Sequence, residues 1–444
     1  MNYNSLITAF KSQGAIRLYV KFLAPNDNSK NQPYFGGDFS SLNIFPYHAL
    51  IPDSSGPRKR FKAALDFAWL DDNGIIHPAP ATQLILYPKY PEVRFSGFLR
   101  GCVGGPNEIM SVRDPGRVLF LGVTASRKVL GYAALPSNPV AKWVFKLREK
   151  GDLESAGVFY QIDLGGGTSF VKVELISELH RIHDLGWIPS KRLDADGEVT
   201  SCKSTNCGGF TLEAELGIRP NSLSEPDFKG WEVKQHSVND FEKPEIGVIT
   251  LMTPEPTGGF YKSRGAEAFI RKYGYEDTRG RADRLNFGGL HLYHLTQTRT
   301  GLTLTLTGYD ESSHRIVDPN GGVSLVDRRG NEAAVWSFTG ILEHWRRKHA
   351  KAVFVPSMKR DRPRLGYRYG HLVRCGEGTD VLLFLRALTD RKVYYDPGIK
   401  LEGESTPSPT VKRRSQFRVK SKDIPSLYLV LKKVNVVTGE EEGE

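Results

Sequence analysis

Cysteine is scarce in this chain: Cys102, Cys202, Cys207 and Cys375 are the four among 444 residues. That is too few for the disulfide framework of a small secreted scaffold, so a reducing cytoplasm is the expected compartment. Cys202 and Cys207 stand close together, but no second Cys/His pair with ligand spacing lies near them, which argues against structural zinc. Long apolar runs are also missing. None approaches the ~20 residues needed to span a bilayer, so no membrane partner is expected. The opening MNYNSLITAFKSQGAIRLY lacks a basic stretch followed by an apolar one and reads without an export signal. Internal repeats are absent. What is present is an ordinary folded composition, 39% apolar and 25% charged, at a length that predicts two or three domains.

Positive charge is in surplus, with 61 Lys+Arg against 50 Asp+Glu. Residues 1–168 carry a net +6, 169–340 a net −4, 341–420 a net +11 and 421–444 a net −2. Two basic regions therefore flank an acidic one, a layout suited to a polyanionic partner.

Residues 16–164 show short apolar or alternating runs (IRLYVKFL, ATQLILYP, EVRFSGFL, RVLFLGVT, GVFYQIDL) broken by Gly, Pro, Asn and Asp. Runs of this length and spacing predict an all-β barrel or sandwich. Gly165-Gly166-Gly167 reads as a hinge. After it Leu175, Leu179 and Ile182 fall on one helical stripe that Gly186 would end. The boundary at 165–172 gives domains 1–168 and 169–444. The second domain mixes elements: a short helix over 211–216 capped by Thr211, strands at 231–234 and 246–253, and a helix at 265–273. A strand pair spans 290–308, where LTLTLT alternates, and a helix over 336–349 leads into a strand at 352–356. Residues 402–410 read as a Pro/Ser loop and 440–444 as a disordered acidic tail.

The densest chemistry is Pro226-Asp-Phe-Lys-Gly-Trp-Glu-Val-Lys234. Gly230 permits a bend, after which Glu232 and Lys234 point to one face of a strand, and Asp227 can return to that face from the other side of the bend. Two carboxylates and an ammonium on one point suit a metal-dependent phosphodiesterase, with hard oxygen ligands for Mg²⁺ and a cation to orient water or stabilise phosphorane charge. The bland reading is a solvated turn with an ion pair. Upstream, Glu213 sits on the short helix. It either adds a carboxylate to the site or merely complements a helix N-terminus.

GGFTLEAELGIRPNS, PDFKGWEVKQH and ITLMTPEPTGG closely resemble the MvaI/BcnI family of restriction endonucleases, whose catalytic core is similar to that of the repair nicking enzyme MutH. SELHRIHDLGWIPSKR before them, and ILEHWRRKHAKAVFVP, VYYDPGIK and KRRSQFRV after them, resemble further family blocks, so the likeness covers residues 170–430. The resemblance implies an α/β nuclease of the PD-(D/E)xK, MutH/MvaI type. In it Asp227 and Glu232 bind Mg²⁺, Lys234 is the catalytic lysine and Glu213 the auxiliary carboxylate. It also implies a CCNGG-type site with a restricted central pair, and a monomer that nicks one strand and then the other. In Lys412-Arg-Arg-Ser-Gln-Phe-Arg418, strand alternation would place Arg414, Gln416 and Arg418 on one DNA-reading face, Arg suiting guanine and Gln adenine. Lys359-Arg-Asp-Arg-Pro-Arg364 reads as a phosphate-neutralising loop.

In the first domain, KFLAPNDNSKNQ offers Lys21, Asn26, Asp27, Lys30, Asn31 and Gln32. Alternation in YPEVRFSGF would put Glu92, Arg94, Ser96 and Phe98 on one face, odd for a barrel interior and suited to base edges. Both segments resemble the DNA-clasping arms of the EcoRII amino-terminal effector domain, a pseudobarrel shared with plant transcription-factor DNA-binding domains. The bland reading is an exposed strand beside an Asn/Asp turn. Together the two likenesses imply a Type IIE enzyme that binds double-stranded DNA at two sites per molecule, one binding event raising the local concentration for the other. CCWGG is the best-fitting site, the cut ends would be 5′-phosphate and 3′-hydroxyl, and a cognate methyltransferase would protect host DNA. Two other readings stand beside it: a MutH-like strand nicker, and a DNA-binding regulator with a vestigial nuclease fold, which intact Asp227, Glu232 and Lys234 oppose.

Overall fold

The computed structural model describes residues 1–444 except 26–31, 38, 91, 165–167, 205, 220–225, 243–246 and 279, and describes 168–170 and 346–348 by backbone alone. Two compact units divide the chain, Met1–Val171 and Lys172–Glu444.

In the first unit, Ala15–Phe22, Val118–Thr124 and Val129–Ala134 form the antiparallel middle of a seven-stranded sheet. The latter two strands are buried at every position, so both faces of the sheet need cover. One face is covered by helices, which corrects the all-β reading. Tyr3–Ser12 is opened by a capping box between Asn2 and Ser5. Pro139–Lys150 begins with Asn138 accepting from the Val140 N–H and ends on left-handed Gly151. Leu6, Phe10, Val140 and Val144 pack on Leu18, Val20, Phe120 and Tyr132. Phe10 lies so close that a Cβ on Gly122 would come within 2.4 Å of its ring. The second, five-stranded sheet runs Tyr34–Gly36, Glu92–Ser96, Gln83–Tyr87, Arg60–Ala64 and Leu50–Asp53. Its aromatic core stacks Phe35 on Phe95 and Phe95 on Phe98, at 4.8 Å between ring centres in each pair.

The second unit is built on a mixed sheet. Lys351–Arg360 pairs on one side with Gly366–Tyr369 and Leu372–Glu377, and the latter with Val430–Asn435. On its other side Glu232–Ser237 runs parallel to it and pairs, among the described strands, with it alone. Among the described residues that strand is an edge. No described helix is long and apolar enough to cross a membrane.

Four sequence expectations need correction here. Trp336 lies in the strand Glu332–Ser337, and the helix is Phe338–His349, because Ser337 accepts from the Gly340 N–H and starts it. The LTLTLT run gives one strand, Thr303–Thr307, whose ladder partner is Gly322–Val326; the preceding segment, where His294 takes a positive φ of 54°, meets it through isolated bridges, Tyr293 to Leu304 and Thr296 to Thr303. The helix read over 265–273 runs Gly259–Tyr273, and Gly265, at φ 85°, marks a kink inside it. The acidic tail is not loose: Glu441–Gly443 pairs with Val430–Asn435, Glu441 bonds Lys172 and Lys432, and Glu444 bonds Arg374.

Candidate active site and DNA-facing residues

Phe228 and Trp231 exchange both backbone hydrogen bonds, 2.8 Å each, across Lys229 and Gly230, which take φ of 44° and 97°. Two positive φ values make a hairpin turn of the kind that matches strand twist, and glycine adopts the second without strain. Buried Phe228 and Trp231 anchor this turn. Asp227 is thereby returned beside the strand, where its Oδ2 accepts the Val233 N–H at 3.0 Å. Lys234 Nζ donates to Glu232 Oε1 at 2.5 Å, the shared face that the i, i+2 spacing predicts. Glu232 is 1% exposed and the Lys234 side chain 18%. Burial opposes charge on Lys234, but Glu232, Asp227 and Glu213 outweigh it and hold the ammonium above the ordinary lysine value.

Glu213 rides on the helix Cys207–Glu215, which starts four residues before Thr211. Thr211 is therefore no cap. It lies inside the helix, buried, and its Oγ1 accepts the Lys191 N–H and donates to the Lys191 carbonyl, pinning helix to strand. Glu213 stands near the helix C-terminus, where the dipole disfavours a carboxylate, so the helix-dipole explanation of this residue fails. The same helix packs closely on the strand carrying Glu232 and Lys234, since a Cβ on Gly208 would lie 2.9 Å from Gln235 Oε1. Tyr369 donates to the Gly208 carbonyl at 2.7 Å. Cys202 and Cys207, at the helix start, are joined as a disulfide and offer no zinc ligands.

The donor set suits Mg²⁺. Carboxylate oxygens are hard, and Mg²⁺ is commonly held by one or two carboxylates completed by substrate phosphate and water. No group of three His, Cys, Asp or Glu side chains at ligand spacing occurs among the described residues.

The basic block is divided by burial. The strand there is Phe417–Lys420, so alternation does not reach Arg414 and Gln416. Arg414 is exposed, Gln416 is buried, and half-buried Arg418 donates to Asp396 Oδ2 at 2.7 Å and to Thr250 Oγ1 at 3.2 Å. Ser415 is held by the Pro254 carbonyl at 2.6 Å. The expected shared face of Arg414, Gln416 and Arg418 is thus absent. Lys359 and Arg360 end a strand, and Arg360 stacks on Trp187 at 4.8 Å.

In the first unit, Asn26, Asp27, Lys30 and Asn31 lie outside the described residues. Arg94 donates to Glu92 at 2.8 Å and to the Gln32 carbonyl at 3.3 Å, and Gln32 donates to buried Ser96 at 2.8 Å. Phe98 does not share their face. Gly97, at φ 74°, ends the alternation and turns Phe98 into the core against Phe95 and Trp69. Lys21, Tyr34, Arg94 and Arg117 line a cleft of about 190 Å³. Sequence reasoning missed Arg117, buried and donating to the carbonyls of Asp114 and Ile109, because nothing in RVLFLGVT marks it. It also missed Asp396, whose pairing with Arg418 spans 22 residues.

The sequence profile of the MvaI/BcnI restriction endonuclease family matches residues 176–428. Among solved structures, the chain is similar to restriction endonuclease MvaI in complex with cognate DNA substrate, at 18% identity and a TM-score of 0.44, over 59% of this chain and 97% of that one. It is also similar to MvaI in the absence of DNA, at 17% identity and a TM-score of 0.33, over 60% and 98%. No curated protein sequence matches.

Proposed function

Since this chain belongs to the MvaI/BcnI restriction endonuclease family, whose profile covers more than half its length, and is thereby a site-specific nuclease, we propose that it hydrolyses double-stranded DNA at a CCNGG-type site, with CCWGG the best-fitting form, using the Asp227, Glu232 and Lys234 edge. The observation that carries this reading is a half-buried Lys234 bonded to buried Glu232 and held above the ordinary lysine value by Glu232, Asp227 and Glu213, on a strand that pairs on one side alone among the described strands. Asp227 and Glu232 hold Mg²⁺, with Glu213 as the auxiliary carboxylate. A Mg²⁺ held there would supply charge neutralisation at the scissile phosphate and a lowered pKa for the attacking water. Lys234 orients that water and offsets the negative charge that develops in the transition state. In-line attack at phosphorus breaks the bond to the 3′ oxygen and leaves 5′-phosphate and 3′-hydroxyl ends.

The net +11 of residues 341–420 supplies the phosphate-binding surface, with exposed Arg414 as a DNA contact; Gln416, buried, and Arg418, paired with Asp396, support it from behind. The first unit acts as an effector. Lys21, Asn26, Asp27, Lys30, Asn31, Gln32, Glu92, Arg94 and Ser96 bind a second copy of the site, while Phe98 supports them from the core. This order of domains resembles that of UbaLAI, a monomeric Type IIE enzyme, and a cognate methyltransferase would protect host DNA. A plasmid carrying CCWGG sites should be cut at them in Mg²⁺. An intact plasmid across a range of salts and divalent metals would sink the reading. Faster cutting of two-site than one-site plasmids is the expected mark of the effector unit.

A further inference from the structure

The sheet aligns a row of side chains with the catalytic pair. Glu232 is directly opposite Ala352, Ala352 is opposite Gly376, and Lys234 is opposite Phe354. Paired residues on neighbouring strands share a face, so Glu232, Ala352 and Gly376 stand in a row on the face that also carries Lys234 and Phe354. The row shrinks away from Glu232, to a methyl group and then to no side chain at all. Tyr428 fills the space so left. A Cβ on Gly376 would come within 2.7 Å of its ring, and its ring centre is 5.9 Å from that of Phe354.

Tyr428 is 6% exposed, and its hydroxyl has no hydrogen-bond partner among the described residues. A buried hydroxyl without a partner is costly, and native structures rarely keep one without use. Burial, and then the charge of Glu232, push the phenol well above its usual range, so it keeps its proton and remains a donor.

We propose that Tyr428 is a positioning residue of the nuclease site, its hydroxyl donating to Glu232 once Lys234 turns from that carboxylate to the DNA. The present geometry is the state before that exchange, with Lys234 bonded to Glu232. When DNA engages Lys234, Glu232 would lose one donor, and the Tyr428 hydroxyl, reaching it across the row of Ala352 and Gly376, replaces that donor. This inference rests on the nuclease reading of the Asp227, Glu232 and Lys234 edge.

The test is Tyr428→Phe in the full chain, which removes one oxygen and keeps the ring. Cleavage of a CCWGG duplex in Mg²⁺ should show kcat reduced about tenfold with KM within about twofold, because a misplaced carboxylate harms the transition state more than binding. The unfolding midpoint should stay level or rise. Calorimetric titration of Ca²⁺ into the uncut enzyme–DNA complex should show several-fold weaker binding in the variant. Unchanged kcat with unchanged Ca²⁺ affinity overturns the proposal, as does a loss of kcat that merely follows a lowered unfolding midpoint. If the unmodified protein cuts in no divalent metal, the nuclease reading itself fails. The two failures are therefore distinguishable.

Discussion

Lys234 and Lys21 are both withdrawn from water, and their surroundings drive them in opposite directions. Lys234 sits with Glu232, Asp227 and Glu213, which overcome burial and raise its pKa. Lys21 lines the cleft of the first unit, donates to the Val158 carbonyl at 3.2 Å and faces the rings of Tyr34 and Phe159. Burial, and then repulsion from Arg148, lower it to about 8. The contrast shows what each place is built for. Under the proposed function, a cation among carboxylates is held charged for chemistry. A cation without one is costly until a polyanion supplies the missing charge.

The strongest break of this comparison is Glu232→Gln, which removes the nearest carboxylate from Lys234. Cleavage should fall by about 10³-fold, comparable to removing one preorganised charge-stabilising group, while duplex binding by gel shift changes little. Phe98→Ala comes next. Because Phe98 stacks in the aromatic core and faces no base, the change should destabilise the first unit by about 3–5 kcal/mol in chemical denaturation. A well-folded variant with selectively lost site recognition would restore the base-reading role. On the Lys21 side, the ammonium gives up its proton as pH rises through about 8, so the attraction it offers DNA is present below that value and lost above it. Affinity of a cleavage-dead full chain for a CCWGG duplex should therefore drop about tenfold between pH 7 and 9. Lys21→Arg, whose guanidinium keeps its charge, should flatten that drop. The smallest effect is expected at Arg418→Ala. Its half-exposed pair with Asp396 contributes about 1 kcal/mol or less to stability, so a larger loss confined to DNA binding would mark Arg418 as a reader.

Much of the geometry of the candidate site was legible because it is local. Gly230 announces the turn, and the i, i+2 spacing of Glu232 and Lys234 dictates a shared face once a strand is assumed. What lay beyond reach was set by distant partners. The helix bearing Glu213 begins at Cys207 because of contacts to Lys191 and Gln235, which no helix-cap rule conveys. Alternation misled at both segments expected to read DNA for one reason, that a strand's period holds only while the strand lasts: Gly97 ends one run before Phe98, and the other strand starts only at Phe417. The helices of the first unit had readable signals in Asn2, Asn138, Pro139 and Gly151, outweighed by the apolar strand runs around them. Tyr428 was invisible because its relation to Glu232 passes through Ala352 and Gly376 on two intervening strands.

The central claim is that the edge carrying Asp227, Glu232 and Lys234 cuts DNA. The most direct measurement compares the unmodified protein with Lys234→Ala on one plasmid bearing CCWGG sites, in Mg²⁺, with cleavage and binding read from the same samples. The account predicts site-specific fragments with 5′-phosphate ends from the unmodified protein, and bound but intact plasmid from the variant. Cleavage by Lys234→Ala at the unmodified rate would contradict it.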